Sequence, residues 1–75
     1  MAKATRFSRI TFGQAVRKER EKLALSQEDF AERANVHRTY ISSIELGKVN
    51  VGIEIAHALA LALDMKLSEL VRKAE

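Results

Sequence analysis

Arg38, Thr39, Ser42 and Ser43 fall within six consecutive residues and bring together one guanidinium and three hydroxyls, a set able to hydrogen-bond base edges and the phosphates between them. On an α-helix of ~100° per residue with Arg38 at zero, Ser42 lies near about 40°, Thr39 near about 100° and Ser43 near about 140°. Tyr40, Ile44 and Ile41 lie near about 200°, 240° and 300°, so the segment has one polar and one apolar face. A guanidinium donates to both O6 and N7 of guanine, which makes Arg38 the foremost candidate for reading a base. A cation near a helix N-terminus is opposed by the helix dipole, an argument against a purely structural role for it. Thr39 and Ser43 are candidates for base edges or a thymine methyl, and Ser42 for a phosphate.

Such a face works only if neighbouring helices hold it. The chain has no proline and three glycines, so capping residues must punctuate it. Thr11 with Gln14 predicts the start of a first helix, whose stripe Phe12, Val16 and Leu23 ends near Ala24. Ser26 predicts an N-cap, with Glu28 and Asp29 in the first turn and Leu25 spaced from Phe30 as a hydrophobic staple, for a second helix reaching Ala34. Asn35 tolerates the left-handed turn that must follow. Val36 and Ile41 repeat the staple around His37, giving a third helix over Arg38–Leu46 with Gly47 just beyond it. A fourth helix is expected over Ile53–Leu63 and a fifth over Leu67–Lys73, the last poorly capped by Lys66. Two short helices joined by a tight turn, as in Gln27–Leu46, make a helix-turn-helix, whose second helix enters the major groove. The expected fold is an all-α, compact five-helix bundle, with 1–8 a loose basic segment and 9–75 one domain.

These residues also carry a family resemblance. Ser26-Gln27-Glu28-Asp29-Phe30-Ala31, then Asn35 to Glu45, then Gly47-Lys48, with Asn50, Ile53, Leu59, Ala60, Leu63 and Leu70, resemble the XRE family, which includes the lambda-type phage repressors. His37 to Ser42 and the loop Gly47 to Val51 are most similar to the controller proteins of restriction-modification systems. The resemblance implies a lambda-repressor-like DNA-binding bundle, a dimer and a palindromic operator. It further implies that Gln27 and the start of its helix hold a phosphate, and that Arg20 and Glu45 form an ion pair tying the first helix to the third. Asn35, Val51 and Lys66 depart from the glycine, proline and serine usual at those places.

Charge agrees with a polyanionic partner. The formal net charge of the 75 residues is +3, and residues 1–22 hold seven cations, Lys3, Arg6, Arg9, Arg17, Lys18, Arg20 and Lys22, against Glu19 and Glu21. Lys48 and Asn50, after the third helix, and Arg17 are expected backbone contacts, with His37 an N-cap or a further one. There is no cysteine, and His37 and His57 stand 20 positions apart, so neither disulfide nor zinc site is expected. No nucleophile paired with a base, metal cluster or glycine-rich phosphate loop points to catalysis or a cofactor. No apolar run is long enough to span a membrane and no signal peptide is visible, so a cytoplasmic place is expected.

So small a domain needs a further source of stability, and its fourth helix has apolar residues on several sides. Ile53, Ala56, Leu59, Ala60 and Leu63 are assigned to the core. Ile55, with Leu67, Leu70, Val71 and Ala74 of the fifth helix, is assigned to a two-fold homodimer. The expected function is transcriptional regulation on double-stranded operator DNA, with RNA polymerase a further candidate partner. An antitoxin of a toxin-antitoxin pair and a helical protein-interaction adaptor are the alternatives.

Overall fold

The computed structural model describes residues 7–75; residues 1–6, including Lys3 and Arg6 of the basic stretch, lie outside the described residues. The described residues form five helices, α1 (Arg9–Lys22), α2 (Gln27–Ala34), α3 (Arg38–Glu45), α4 (Ile53–Ala62) and α5 (Leu67–Lys73), the all-α bundle that the sequence predicts. Helix α1 packs on α3 and α5, α2 on α3 and α4, and α4 on α5. Val16, Phe30, Ile41, Ile44, Leu59 and Leu70 are fully enclosed between them.

One device starts every helix. An apolar residue just ahead of the N-cap is matched by an apolar residue at the end of the first turn: Phe7 with Phe12, Leu25 with Phe30, Val36 with Ile41, Val51 with Ala56 and Met65 with Leu70. The second member is buried in all five pairs. Leu25, Val36, Val51 and Met65 pack half-buried on the core, and the Phe7 and Phe12 rings meet edge to face with centroids 6.2 Å apart.

One device also ends the first four. Ala24, Asn35, Gly47 and Asp64 adopt left-handed φ values of 56°, 57°, 71° and 58°. In each case the next residue's N–H returns to a carbonyl five positions back: Leu25 to Arg20, Val36 to Ala31, Lys48 to Ser43 and Met65 to Ala60. Leu25, Val36 and Met65 thus close one helix and staple the next, which is how turns so short join helices without proline.

Three details correct the sequence reading and one completes it. Helix α1 begins a turn before Thr11: the Ser8 hydroxyl accepts from the Thr11 N–H at 3.1 Å, and the Thr11 hydroxyl accepts from the Ser8 N–H at 2.9 Å. A threonine does the work expected of Gln14, and Ser8 belongs to the folded domain. Leu23 is exposed, because the helix is closing there and Leu25 turns inward instead. Ile53 is 75% exposed, since as the first residue of α4 it projects past the core. The weak cap Lys66 is compensated by Glu69, whose carboxylate accepts from the Lys66 N–H at 2.8 Å.

Ala24 is the turn residue least suited to its conformation, because its Cβ meets the following carbonyl and no side-chain hydrogen bond compensates. Ala24→Gly is expected to raise stability by about 0.5–1 kcal/mol, after allowance for the freer unfolded chain. Thermal denaturation followed by circular dichroism checks this; an unchanged or lowered midpoint contradicts it.

Candidate nucleic-acid interface

The polar face of α3 is held from behind by a buried charge network. Arg20 of α1 donates through Nε to Glu45 Oε2 at 2.7 Å and through Nη2 to Glu45 Oε1 at 3.0 Å, a two-pronged pair. Its Nη1 donates to the Leu25 carbonyl at 2.7 Å, and Gln27 of α2 donates through Nε2 to Glu45 Oε1 at 3.1 Å. The two charged side chains are only 11% and 3% exposed, and among the described residues no buried side-chain polar atom is left without a partner. The hydrogen bonds that Arg20 donates to Glu45 hold its guanidinium above its already high ordinary pKa, against the opposing effect of burial. A raised arginine pKa means that this contribution is complete below the ordinary value and is lost only as pH rises through the folded one.

Helices α1 and α3 touch backbone to backbone. A Cβ at Gly13 would overlap the Ile44 carbonyl oxygen, so glycine is required there by space alone. A second brace comes from Arg9, whose Nε donates to the Gly47 carbonyl at 2.9 Å, fixing the turn after α3 to the start of α1. Neither residue was singled out from sequence. A glycine inside an otherwise strong helix pattern is a readable sign of close approach, whereas nothing local marks Arg9.

On this mount, Ile41, Ile44 and Glu45 face inward and Tyr40 packs half-buried on the core. Arg38 and Thr39 are exposed on the first turn, with Ser42 and Ser43 half-buried one turn on. Among the described residues Arg38 has no ion-pair partner, unlike Arg17, which meets Glu21 at 3.1 Å on the open surface. Leu46, not assigned to this face from sequence, is 59% exposed at the end of α3 and falls between Ser42 and Thr39 around its axis. His37 is the N-cap: its Nδ1 accepts from the Thr39 N–H at 3.2 Å. Lys48 and Asn50 are exposed in the loop after α3, and Arg17 flanks the α1 face that meets α3. Gln27 is half-buried, and its amide nitrogen is turned inward to Glu45 rather than outward.

The surface assigned to a second copy is narrower than expected. Leu70 and Ala74 are 0% and 3% exposed, enclosed by this chain's own core, and so do not reach a partner. Ile55, Leu67 and Val71 are half-buried. Leu67 and Val71 line, with Phe7, Phe12, Val51 and Ile53, an apolar groove beside α4 and α5. His57 stands exposed on α4, and the described residues contain no cluster of His, Cys, Asp and Glu suited to a metal ion. No helix among the described residues is long and apolar enough to cross a membrane.

Known proteins share this arrangement. The helix-turn-helix family model HTH_3 matches residues 16–70, from the middle of α1 into α5. Control protein C.MunI of Mycoplasma sp is 46% identical over 63 residues, which span 83% of this chain and 85% of that protein. Control protein C.BamHI of Bacillus amyloliquefaciens is 41% identical over 64 residues, 84% of this chain and 79% of its own. The crystal structure of the restriction-modification controller protein C.AhdI from Aeromonas hydrophila superposes with a TM-score of 0.81 at 37% identity, covering 83% of this chain and 94% of that one.

Removing one partner of a buried pair strands the other charge. Arg20→Met is therefore expected to cost about 3–5 kcal/mol, and joint replacement with Glu45→Leu much less than the sum of the two single changes. Urea unfolding of the two single variants and the double variant measures the coupling; additive losses would show that the pair contributes nothing as a pair.

Proposed function

The chain belongs to the helix-turn-helix family as a DNA-binding transcriptional regulator, and from that premise we propose that it binds a palindromic operator as a homodimer and governs a restriction-modification operon. The observation that carries the DNA-reading assignment is the exposed Arg38, without an ion-pair partner among the described residues, on the first turn of a helix whose back is locked to α1 and α2 through Glu45. Arg38 meets guanine through its two-pronged donor, with Thr39 and Ser43 on neighbouring base edges. Ser42, Lys48, Asn50 and Arg17 neutralise or bond phosphates and fix the register. His37 offers a phosphate its outward ring N–H, and Gln27 contributes the positive end of α2 more than its side chain.

The apolar groove supports the dimer. Phe7 and Ile53 are 42% and 75% exposed beside the half-buried Leu67 and Val71, a surface stabilised by covering it with the same surface of a second copy. A two-fold axis there sets two α3 helices toward half-sites about one helical turn, ~34 Å, apart. The regulatory class is supported by the control proteins that the chain resembles along most of their length.

Binding to the DNA upstream of the chain's own gene, measured by gel shift and footprinting, tests the whole reading; protection without two-fold symmetry would remove the palindrome. Arg38→Ala is expected to weaken binding by about 1–3 kcal/mol and to relax preference at one base pair in each half-site, whereas equal weakening on every sequence would make Arg38 a phosphate contact. Lys48→Ala is expected to lower the log–log salt dependence by about 0.9 for each phosphate that the lysine neutralises. In sedimentation, Val71→Glu should shift the protein from dimer to monomer; an unchanged dimer would place the interface elsewhere.

A further inference from the structure

The Thr39 hydroxyl is already engaged before any DNA arrives. Its Oγ1 lies 2.8 Å from His37 Nδ1, and the Thr39 backbone N–H points at the same nitrogen from 3.2 Å. A backbone amide only donates, so Nδ1 must present its lone pair to α3, and the ring proton sits on Nε2. With Nδ1 an acceptor, the hydroxyl hydrogen of Thr39 is directed to it as well. What the exposed Thr39 side chain then has left to offer is its γ-methyl and oxygen lone pairs. Both residues are exposed: His37 caps α3, and Thr39 lies in its first turn beside the exposed Arg38.

We propose that His37 is a positioning residue for base selection: by holding the Thr39 hydroxyl hydrogen, it makes Thr39 an acceptor-plus-methyl surface. Such a surface matches the exocyclic amines of adenine and cytosine and the thymine methyl, and it opposes the guanine edge, whose O6 and N7 are both acceptors. The proposal rests on the reading of α3 as the helix in the major groove. Its chemistry divides the work of the first turn. Arg38, a donor only, takes guanine, and Thr39, stripped of its donor, rejects guanine at the adjoining pair. A threonine whose hydroxyl rotates freely has no such bias, because it donates or accepts as the base requires.

The test is selection from a randomised duplex DNA library by the full chain and by Thr39→Ala, His37→Gly and His37→Asn, with thermal melts to confirm folding. Glycine is tolerated at an N-cap but has no side-chain acceptor, whereas asparagine restores one. Thr39→Ala identifies the base pair that Thr39 reads as the one whose preference it erases. At that pair the parent chain and His37→Asn should disfavour guanine by roughly fivefold or more, and His37→Gly should admit it with the other positions unchanged. An unaltered His37→Gly base preference, a preference relaxed at every position alike, or failure of His37→Asn to restore the bias would each overturn the proposal while leaving DNA reading intact; a uniform loss of affinity in His37→Gly reports only the loss of its phosphate contact. If Thr39→Ala erases no preference, Thr39 is not a reader and the proposal falls with that assignment. If the parent chain enriches no sequence, the DNA-reading assignment falls as well.

Discussion

Taking a guanidinium and a carboxylate out of water is costly, with an effective penalty of several kcal/mol per ion even in a relaxed protein interior. Arg20 and Glu45 offset that cost only because every component is met at once: two parallel bonds between them, a third from Arg20 to the Leu25 carbonyl, and a further donor to Glu45 from Gln27. The bonds come from α1, the turn after it, the start of α2 and the end of α3. A slide of α3 along α1 by one turn would separate the charges and leave both buried and unpaired. The network therefore selects one register among packings that apolar contacts alone would tolerate. Gly13 adds steric force to the same choice, since only at that point along α1 can the Ile44 carbonyl approach so closely.

Register matters here because none of the short helices is stable by itself. Helices α2 and α3 have eight residues each, well below the length at which an isolated helix persists in water. Their ends do what length cannot. Each begins with a staple and a side-chain cap, and each ends in a left-handed residue whose successor bonds back into the helix. Because Leu25 and Val36 serve both the preceding stop and the following start, α1, α2 and α3 are defined together or not at all. The first turn of α3 inherits its orientation from this chain of dependencies.

Much of this was legible in the sequence because it is written in local spacing. The Leu25–Phe30 and Val36–Ile41 staples, the Ser26 cap, Asn35 as a left-handed residue and Gly47 as a stop all depend on residues within one turn of each other, and they stand where they were expected. The partition of α3 into a polar and an apolar face follows from helical period alone. What was not legible depends on contacts between distant segments. The bond from Arg9 to Gly47 spans 38 positions, and nothing near Arg9 announces it. Ala24 and Asp64 as left-handed residues break the usual preference for glycine or asparagine, so a pattern built on preference passes over them. Leu70 and Ala74 have the spacing of an exposed stripe but fall on the side of α5 that meets α1 and α4.

The two halves of the molecule meet in α1. On one side it carries Gly13 and Arg20 against α3, and on another it receives α5, where Lys73 lies 3.9 Å from Glu19, a carboxylate that Lys22 also approaches to 3.1 Å. The lysines are about half exposed and the longer contact is loose, so the coupling between halves rests mainly on the buried residues beneath them, Phe12, Ala15 and Val16 of α1 with Leu70 and Ala74 at α5. In the proposed dimer, the groove beside α4 and α5 is thus joined through one helix to the polar face of α3 proposed to read DNA. In such a dimer the spacing between the two α3 helices would be set by packing inside each copy as much as by the interface between them. Stiffness along α1 would then be a condition for reading two half-sites in phase, and Gly13 and the buried Arg20–Glu45 pair fix α1 against α3 in the way that condition requires.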